Sequence, residues 1–422
     1  MNKTIFVKTT FIIFAIMTSL VFQTPLTTGA MAEPKADVMP EINIPKSEKI
    51  TNQWIAVLQP DSDPIENSQK ARSSGAEIGQ TYSNTIKGFS FKANNDKILA
   101  KILQNPNLLY VEPDFYVTID AQTISTGISR IGSNTNSVNS GDGTGAVDVD
   151  IAIIDTGIDL THPDLYVYSQ KSFISSAPTA NDDNGHGSHV AGIAAAKDDS
   201  NGVVGVAPGA RLWAVKVLDK YGTGSLSNVI AGVDYVASKS SEIEIANLSL
   251  STSNSLSLNS AIQKAVTKGI TFVVAAGNNK ADAASYSPAN SPVVIAVSAI
   301  VDTDGKCGGL GQVTSYGSDD TFASFSNYGS VIDIAAPGVA IYSTYKTGAY
   351  ATMSGTSMAS PHVAGAAALI KSLNPTFSPL QIKTVLLNNG VKSDAICDGG
   401  SMGYFTNDRD SIQEPLLNTK NY

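Results

Sequence analysis

Four polar side chains stand at the ends of apolar runs. Asp155 follows Ile151-Ala-Ile-Ile154, His186 lies in NDDNGHGSHVAG (Asn181–Gly192), Asn278 follows TFVVAAG, and Ser357 lies in SGTSMASPHVAG (Ser354–Gly365). A carboxylate placed directly after four apolar residues is costly unless something binds it. A histidine at the start of a helix is disfavoured as imidazolium and suits a neutral base. An amide at a strand end can donate to a developing oxyanion, a contribution of about 3–4 kcal/mol. Serine is a weak nucleophile until a base removes its proton and an acid steadies that base. Asp155, His186 and Ser357 thus supply acid, base and nucleophile, and Asn278 supplies the oxyanion donor. Each also has a plain structural use: Ser357 and Asp155 as caps, His186 as a helix-start residue, Asn278 as a turn former.

The elements that must position these groups follow from periodicity. From about Gly145 onward, VDVDIAIID, RLWAVKVL, IEIANLSL, TFVVAAGN, VVIAVSAI and VIDIAAPG alternate with helical stretches at Gly187–Ala196, Leu226–Ala237, Leu256–Lys268 and Ser357–Leu373. Strands apolar on both faces and separated by helices predict an α/β fold, a mostly parallel sheet with helices on both faces. Chemistry in such sheets gathers at the carboxyl ends of the strands, where Asp155 and Asn278 fall. Pro361 predicts a helix start close by, since proline is best tolerated in a first turn. Ser357 is therefore expected at the helix tip.

Before this region, WIAVL, AEIGQTYS, IKGFSFKA and LLYVEPD, with helical periodicity at Ile65–Ser74 and Asp96–Gln104, give a βαββαβ order, a small ferredoxin-like α+β domain. So small a sheet is marginally stable alone and calls for a partner surface.

Lys3 and Lys8, the apolar run Thr9–Phe22 and Ala30-Met31-Ala32 describe an export signal over residues 1–32. The run is shorter than the roughly 20 residues of a spanning helix. A membrane anchor is the alternative. A polar linker over 33–51 precedes the small domain (52–120) and the large one (121–422). The net charge of −9 offers no basic face for nucleic acid. His186-Gly-Ser-His189 lacks the spacing and the glutamate of a zinc helix. Cys307 and Cys397 fit one bridge in an oxidising compartment, or two free thiols.

The ordered segments DTGIDLTHPDL, NGHGSHVAGIAAA, AAGNN and GTSMASPHVAG resemble the subtilisin-like serine peptidases over roughly Ala121–Leu387, and TIKGFSFKA and LLYVEPD resemble their inhibitory propeptide. The resemblance implies a triad of Asp155, His186 and Ser357, an oxyanion hole of the Asn278 side chain and the Ser357 amide, and cleavage through an acyl-enzyme without a cofactor. It implies substrate pairing with Gly222, Thr223 and Gly224 on one side and Ser249, Leu250 and Ser251 on the other, and pocket walls that include Ala275, Ala276 and Gly277. Ser251 stands where the family often has glycine. No acidic residue falls in SLST or VVAAGN, so an apolar or aromatic preference with broad tolerance is expected.

The resemblance further implies a structural Ca²⁺ held by Gln122, Asp164, Asp199 and the backbone of Lys197, Asn201 and Val203. It implies a propeptide that inhibits the enzyme until cut near Asp120-Ala121, and a secreted, monomeric product. A membrane-anchored processing peptidase and a peptide-binding pseudo-enzyme are the alternatives; the second would ordinarily lack one of the four residues, all of which are present.

Overall fold

The computed structural model describes residues 49–84, 86–115, 122–144, 146–397, 400 and 403–422. The export signal, the linker up to residue 48 and the Asp120-Ala121 junction lie outside the described residues.

The small domain runs β1 (Lys49–Leu58), α1 (Pro64–Ser73), β2 (Glu77–Tyr82), β3 (Gly88–Lys92), α2 (Asp96–Ile102) and β4 (Leu108–Phe115). The strands pair in the order β2-β3-β1-β4, antiparallel throughout, which is the ferredoxin-like arrangement. Phe89, Phe91, Leu58 and Ala56 fill its core with Ala71 and Ile102 from the helices. Asp63 and Asn95 cap the two helices through side-chain oxygens, as expected for the free amides of a first turn. β1 begins at Lys49, three residues inside the stretch read as linker, because Lys49 already pairs with Phe115 across the sheet.

The large domain continues with α3 (Thr126–Ile131), β5 (Asp150–Asp155), β6 (Val167–Ser172), α4 (His186–Ala195), β7 (Arg211–Lys216), α5 (Leu226–Ser238), β8 (Ile245–Leu248), β9 (Thr252–Ser253), α6 (Leu256–Thr267) and β10 (Thr271–Ala275). It closes with β11 (Tyr286–Ser287), β12 (Ile295–Val301), β13 (Thr321–Phe322), β14 (Ile334–Pro337), β15 (Ile341–Thr344), β16 (Tyr350–Met353), α7 (Thr356–Leu373) and α8 (Pro379–Asn389). The central sheet has the order β13-β12-β10-β8-β5-β7-β6, with β14 also on β12. All its pairings are parallel except β12 with β13. Two apolar layers sandwich it. One joins α4 and α7 to the sheet; the other joins it to α5 and α6.

The six strands expected from double-sided apolar runs are all present. The edge strand β6 escapes that pattern because its residues are half-buried or exposed in alternation.

α7 packs against β8, β10, β12 and β14 and lies along α4. That closeness requires small residues: a Cβ on Gly365 would stand 2.6 Å from Val206 Cβ and 2.9 Å from the Ala194 carbonyl oxygen. Cys307 and Cys397 are bonded to each other, closing the chain across 90 residues.

Gly365→Ala should therefore destabilise the fold by about 2 kcal/mol through overpacking, although alanine is the better helix former. Denaturant unfolding on a Ser357→Ala background, which avoids self-digestion, reads this directly.

Candidate active site

β5 ends on Asp155, which has no exposed surface. Its Oδ1 lies 2.7 Å from His186 Nδ1 and accepts from the Thr156 amide at 2.7 Å. His186 opens α4, so the carboxyl end of a strand and the amino end of a helix meet at one hydrogen bond.

The turn before His186 is organised by Asp182, whose side chain is almost fully buried. Its Oδ1 accepts from the Asn184 and Gly185 amides and from Thr156 Oγ1, and its Oδ2 accepts from the amide and hydroxyl of Ser188. Thr156 Oγ1 in turn accepts from the Gly187 amide at 2.9 Å. Only glycine fits at 187, since a Cβ there would reach 2.0 Å from the Gly157 carbonyl oxygen. The sequence singled out His186 and Asp155; it gave no signal that Asp182 is the hub that aims them.

Ser357 is the second residue of α7. Its Oγ lies 3.3 Å from the Ser249 carbonyl oxygen. Asn278 reaches the same place from β10: its Oδ1 accepts from both the amide and the hydroxyl of Thr356 at 2.9 Å. That pair of bonds fixes which way the amide faces and leaves the NH₂ as the outward donor. The Ser357 backbone amide belongs to the first turn of the helix, whose donors have no intrahelical partner.

Pro361 differs from expectation. It sits in the second turn of α7, not the first. A residue at 361 would normally donate to the carbonyl of Ser357, and proline cannot. Ser249 Oγ donates to that carbonyl instead, at 2.8 Å, and Ser249 Oγ is itself bonded by Asn247 Nδ2 at 3.0 Å. Ser360 Oγ donates to Asn247 Oδ1 at 2.7 Å. A buried polar chain beneath the serine thus replaces the missing helix bond.

Residues 147–410 match the subtilase family, and residues 39–120 match the peptidase inhibitor I9 family. The chain belongs to the subtilase family. It is 42% identical over 285 residues to an alkaline protease of Alkalihalobacillus alcalophilus, covering 67% of this chain and 69% of that one. It is 43% identical over 269 residues to subtilisin Savinase of Lederbergia lenta, covering 64% of this chain and 91% of that one. A cold adapted subtilisin-like serine proteinase of known structure superposes with a TM-score of 0.55 at 34% identity, covering 70% of this chain and 97% of that one. This subtilase is a serine endopeptidase that carries an I9 propeptide domain as its own inhibitor, acts on protein substrates and needs no cofactor for catalysis.

In this subtilase the expected substrate edges lie on two loops. Gly222, Thr223 and Gly224 are exposed after β7, in a turn where Asp219 Oδ1 accepts from the Tyr221 and Thr223 amides. A Cβ on Gly224 would reach 2.3 Å from the Val217 carbonyl oxygen, so the turn closes only with glycine. Ser249 is buried, Leu250 half-buried and Ser251 exposed between β8 and β9; Ala275, Ala276 and Gly277 are buried at the end of β10.

Of the residues expected to hold calcium, Gln122, Asp164, Lys197 and Val203 are joined by hydrogen bonds. Gln122 Nε2 donates to the Lys197 and Val203 carbonyls at 2.8 and 3.3 Å, and Asp164 Oδ2 accepts from the Val203 amide at 2.8 Å. Asp199 Oδ1 accepts from the Asn201 amide at 3.2 Å. Gln122 Oε1 and Asp164 Oδ1 are buried without a hydrogen-bond partner. Burial, with Asp199 adding to it, pushes the Asp164 carboxyl up to about 7. The Lys197 ammonium donates to the Pro163 carbonyl at 2.5 Å and acts against that rise. Unsatisfied buried oxygens and a crowded carboxylate suit a hard cation.

The helix bond replaced by Ser249 is testable. Ser249→Ala should cost about 1–3 kcal/mol, because the Ser357 carbonyl is left unsatisfied. Adding Pro361→Ala should recover part of that loss by restoring an amide donor, whereas two independent losses would simply add. Urea unfolding of the single and double variants on a Ser357→Ala background measures the difference.

Proposed function

We propose that Ser357 is the nucleophile, His186 its general base, Asp155 the residue that orients and stabilises His186, and Asn278 with the Ser357 amide the oxyanion hole. The observation that carries this reading is the 2.7 Å bond between His186 Nδ1 and a fully buried Asp155. It assigns the Nδ1 proton to the carboxylate side and leaves Nε2 to accept from a hydroxyl. In the acylation step Ser357 Oγ bonds to the substrate carbonyl carbon while its proton passes to His186 Nε2. The carbonyl oxygen becomes the oxyanion, met by Asn278 Nδ2 and the Ser357 amide. On collapse the C–N bond breaks and His186 returns its proton to the leaving amine. Water then repeats the sequence against the acyl-enzyme.

An extended substrate segment pairs between Gly222–Gly224 and Ser249–Ser251 as an added strand. The apolar pocket walls at Ala275–Gly277 and the absence of carboxylates in SLST and VVAAGN favour apolar or aromatic residues before the cut, with broad tolerance. Ser251 narrows the pocket rim. The small domain blocks the cleft until the chain is cut near Asp120-Ala121 by its own active site. The amino-terminal export signal and the cysteine pair support a secreted product.

Gln122, Asp164, Asp199 and the carbonyls of Lys197, Asn201 and Val203 would hold a structural Ca²⁺, which would offset the charge of Asp164 and tie residue 122 to the 197–203 loop. On this reading EGTA lowers the melting temperature of the Ser357→Ala protein. An unchanged melting temperature with and without added calcium counts against the site.

A fluorophosphonate probe should label the mature protein on the peptide that contains Ser357. Ser357→Ala should lose labelling, casein hydrolysis and propeptide removal together. Hydrolysis retained by the purified variant defeats the assignment.

A further inference from the structure

Lys216 is the last residue of β7 and stands opposite Asp155, the last residue of β5. Its side chain has no exposed surface, a costly place for an ammonium unless it is paired. Nζ donates to the Thr156 carbonyl, in the peptide that follows Asp155, at 2.5 Å. It donates also to Asp183 Oδ1 at 2.7 Å. Asp183 lies in the turn that leads into His186, and its side chain is 43% exposed. Lys216 therefore holds both approaches to the Asp155–His186 bond: the peptide after the carboxylate and the turn before the imidazole. Solvent screens its anion better than it screens the cation.

The other charged or titratable groups around His186 come from each neighbouring element. Asp155 binds it directly from β5. Asp182 in the preceding turn is engaged by Thr156, Asn184, Gly185 and Ser188. On α4 itself, His189 is fully buried between the Ile341 and Ala351 carbonyls, and burial holds its imidazole down to about 3. His362 on α7 is also buried and pushed down to about 4.

From the segment between β15 and β16, Tyr345 donates to the Asn184 carbonyl and the partly exposed Lys346 to the Asp183 carbonyl, both at 3.0 Å. From the loop after β7, Asp219 is engaged in its own turn, and the Lys220 carbonyl accepts from Asn184 Nδ2. Lys216 differs from the other lysines of this set in having no contact with water.

We propose that Lys216 is a positioning residue of the proton relay, and that its buried ammonium, offset by Asp183, sets the pH at which activity fails on the acid side. This rests on the catalytic reading of Asp155, His186 and Ser357 given above. A cation beside the relay makes the imidazolium harder to form, so it keeps the base neutral to lower pH. Removing it moves the acid-side loss of activity upward. Removing Asp183 moves that loss downward, because the cation then acts without its counter-charge.

The test is kcat/KM against pH for a neutral chromogenic peptide at low ionic strength, where charge effects are least screened. The proteins are the mature wild type, Lys216→Met, Asp183→Asn, the double variant and Lys216→Arg. Lys216→Met should raise the acid-side midpoint by about half a pH unit and Asp183→Asn should lower it by a similar amount, the order of effect of one charge that is near the imidazole but not in contact with it. The double variant should return towards the wild type, and Lys216→Arg should keep the wild-type midpoint. A role in packing alone would lower the plateau without moving the limb.

Coincident acid limbs, or limbs that move in the same direction, overturn the proposal. Should Lys216→Met fail to fold, the half-exposed Asp183→Asn and the charge-conserving Lys216→Arg decide it by themselves. Each protein is first labelled with the fluorophosphonate: active enzyme that is not labelled at Ser357 refutes the catalytic reading beneath, whereas unmoved limbs in labelled enzyme refute this inference alone.

Discussion

A carboxylate without access to water must be compensated by its neighbours, and Asp155 is compensated by His186 and the Thr156 amide. Much of the surrounding structure serves that constraint. The parallel sheet delivers Asp155 at a carboxyl end; α4 begins where its first residue can meet it; and Asp182 gathers the intervening turn so that the imidazole has one orientation. Burial makes the arrangement expensive to break, because separating the partners leaves an uncompensated charge in an apolar layer. The same burial makes it useful, since a bond in a medium of low dielectric holds its geometry more firmly than one in water.

The second half of the site is organised on a different principle. α7 lies in the core against one face of the sheet and is lined with Ala, Gly and Val. Its close approach to α4 and the sheet places the helix tip by packing rather than by charge. Asn278 is then fixed by accepting from the backbone and hydroxyl of Thr356. Asn278 and Ser357 are therefore registered against each other directly, through Thr356. Asp155 and His186 are registered to them through the sheet.

Much of this was legible in the amino-acid sequence. Apolar runs ending on a polar residue marked Asp155 and Asn278, flanking glycines and the Ala-rich helix that follows marked His186, and the strands flanked by helices gave the parallel sheet because both faces of each strand are covered. The ferredoxin-like order of the small domain was legible for a related reason: four short strand-like runs are interrupted by two stretches of helical periodicity, and each helix carries a capping residue. What escaped is of two kinds. β6 hides because an edge strand mixes exposed and half-buried positions. Asp182, Lys216 and the Ser249 hydroxyl hide because their importance lies in which atoms they touch, and nothing in local periodicity encodes a contact between residues 156 and 216 or 249 and 357. The placement of Pro361 was misjudged for that same reason: a proline in a second turn is tolerable only if a distant group takes over the orphaned carbonyl.

That substitution of partners ties the tip of α7 to the segment that follows β8. A helix that closed its own second turn would hold Ser357 independently of whatever lay outside it. Here the carbonyl of the serine hangs on a hydroxyl from the segment after β8, so the two cannot shift separately. A displacement of either segment must therefore be carried to the other through a single oxygen.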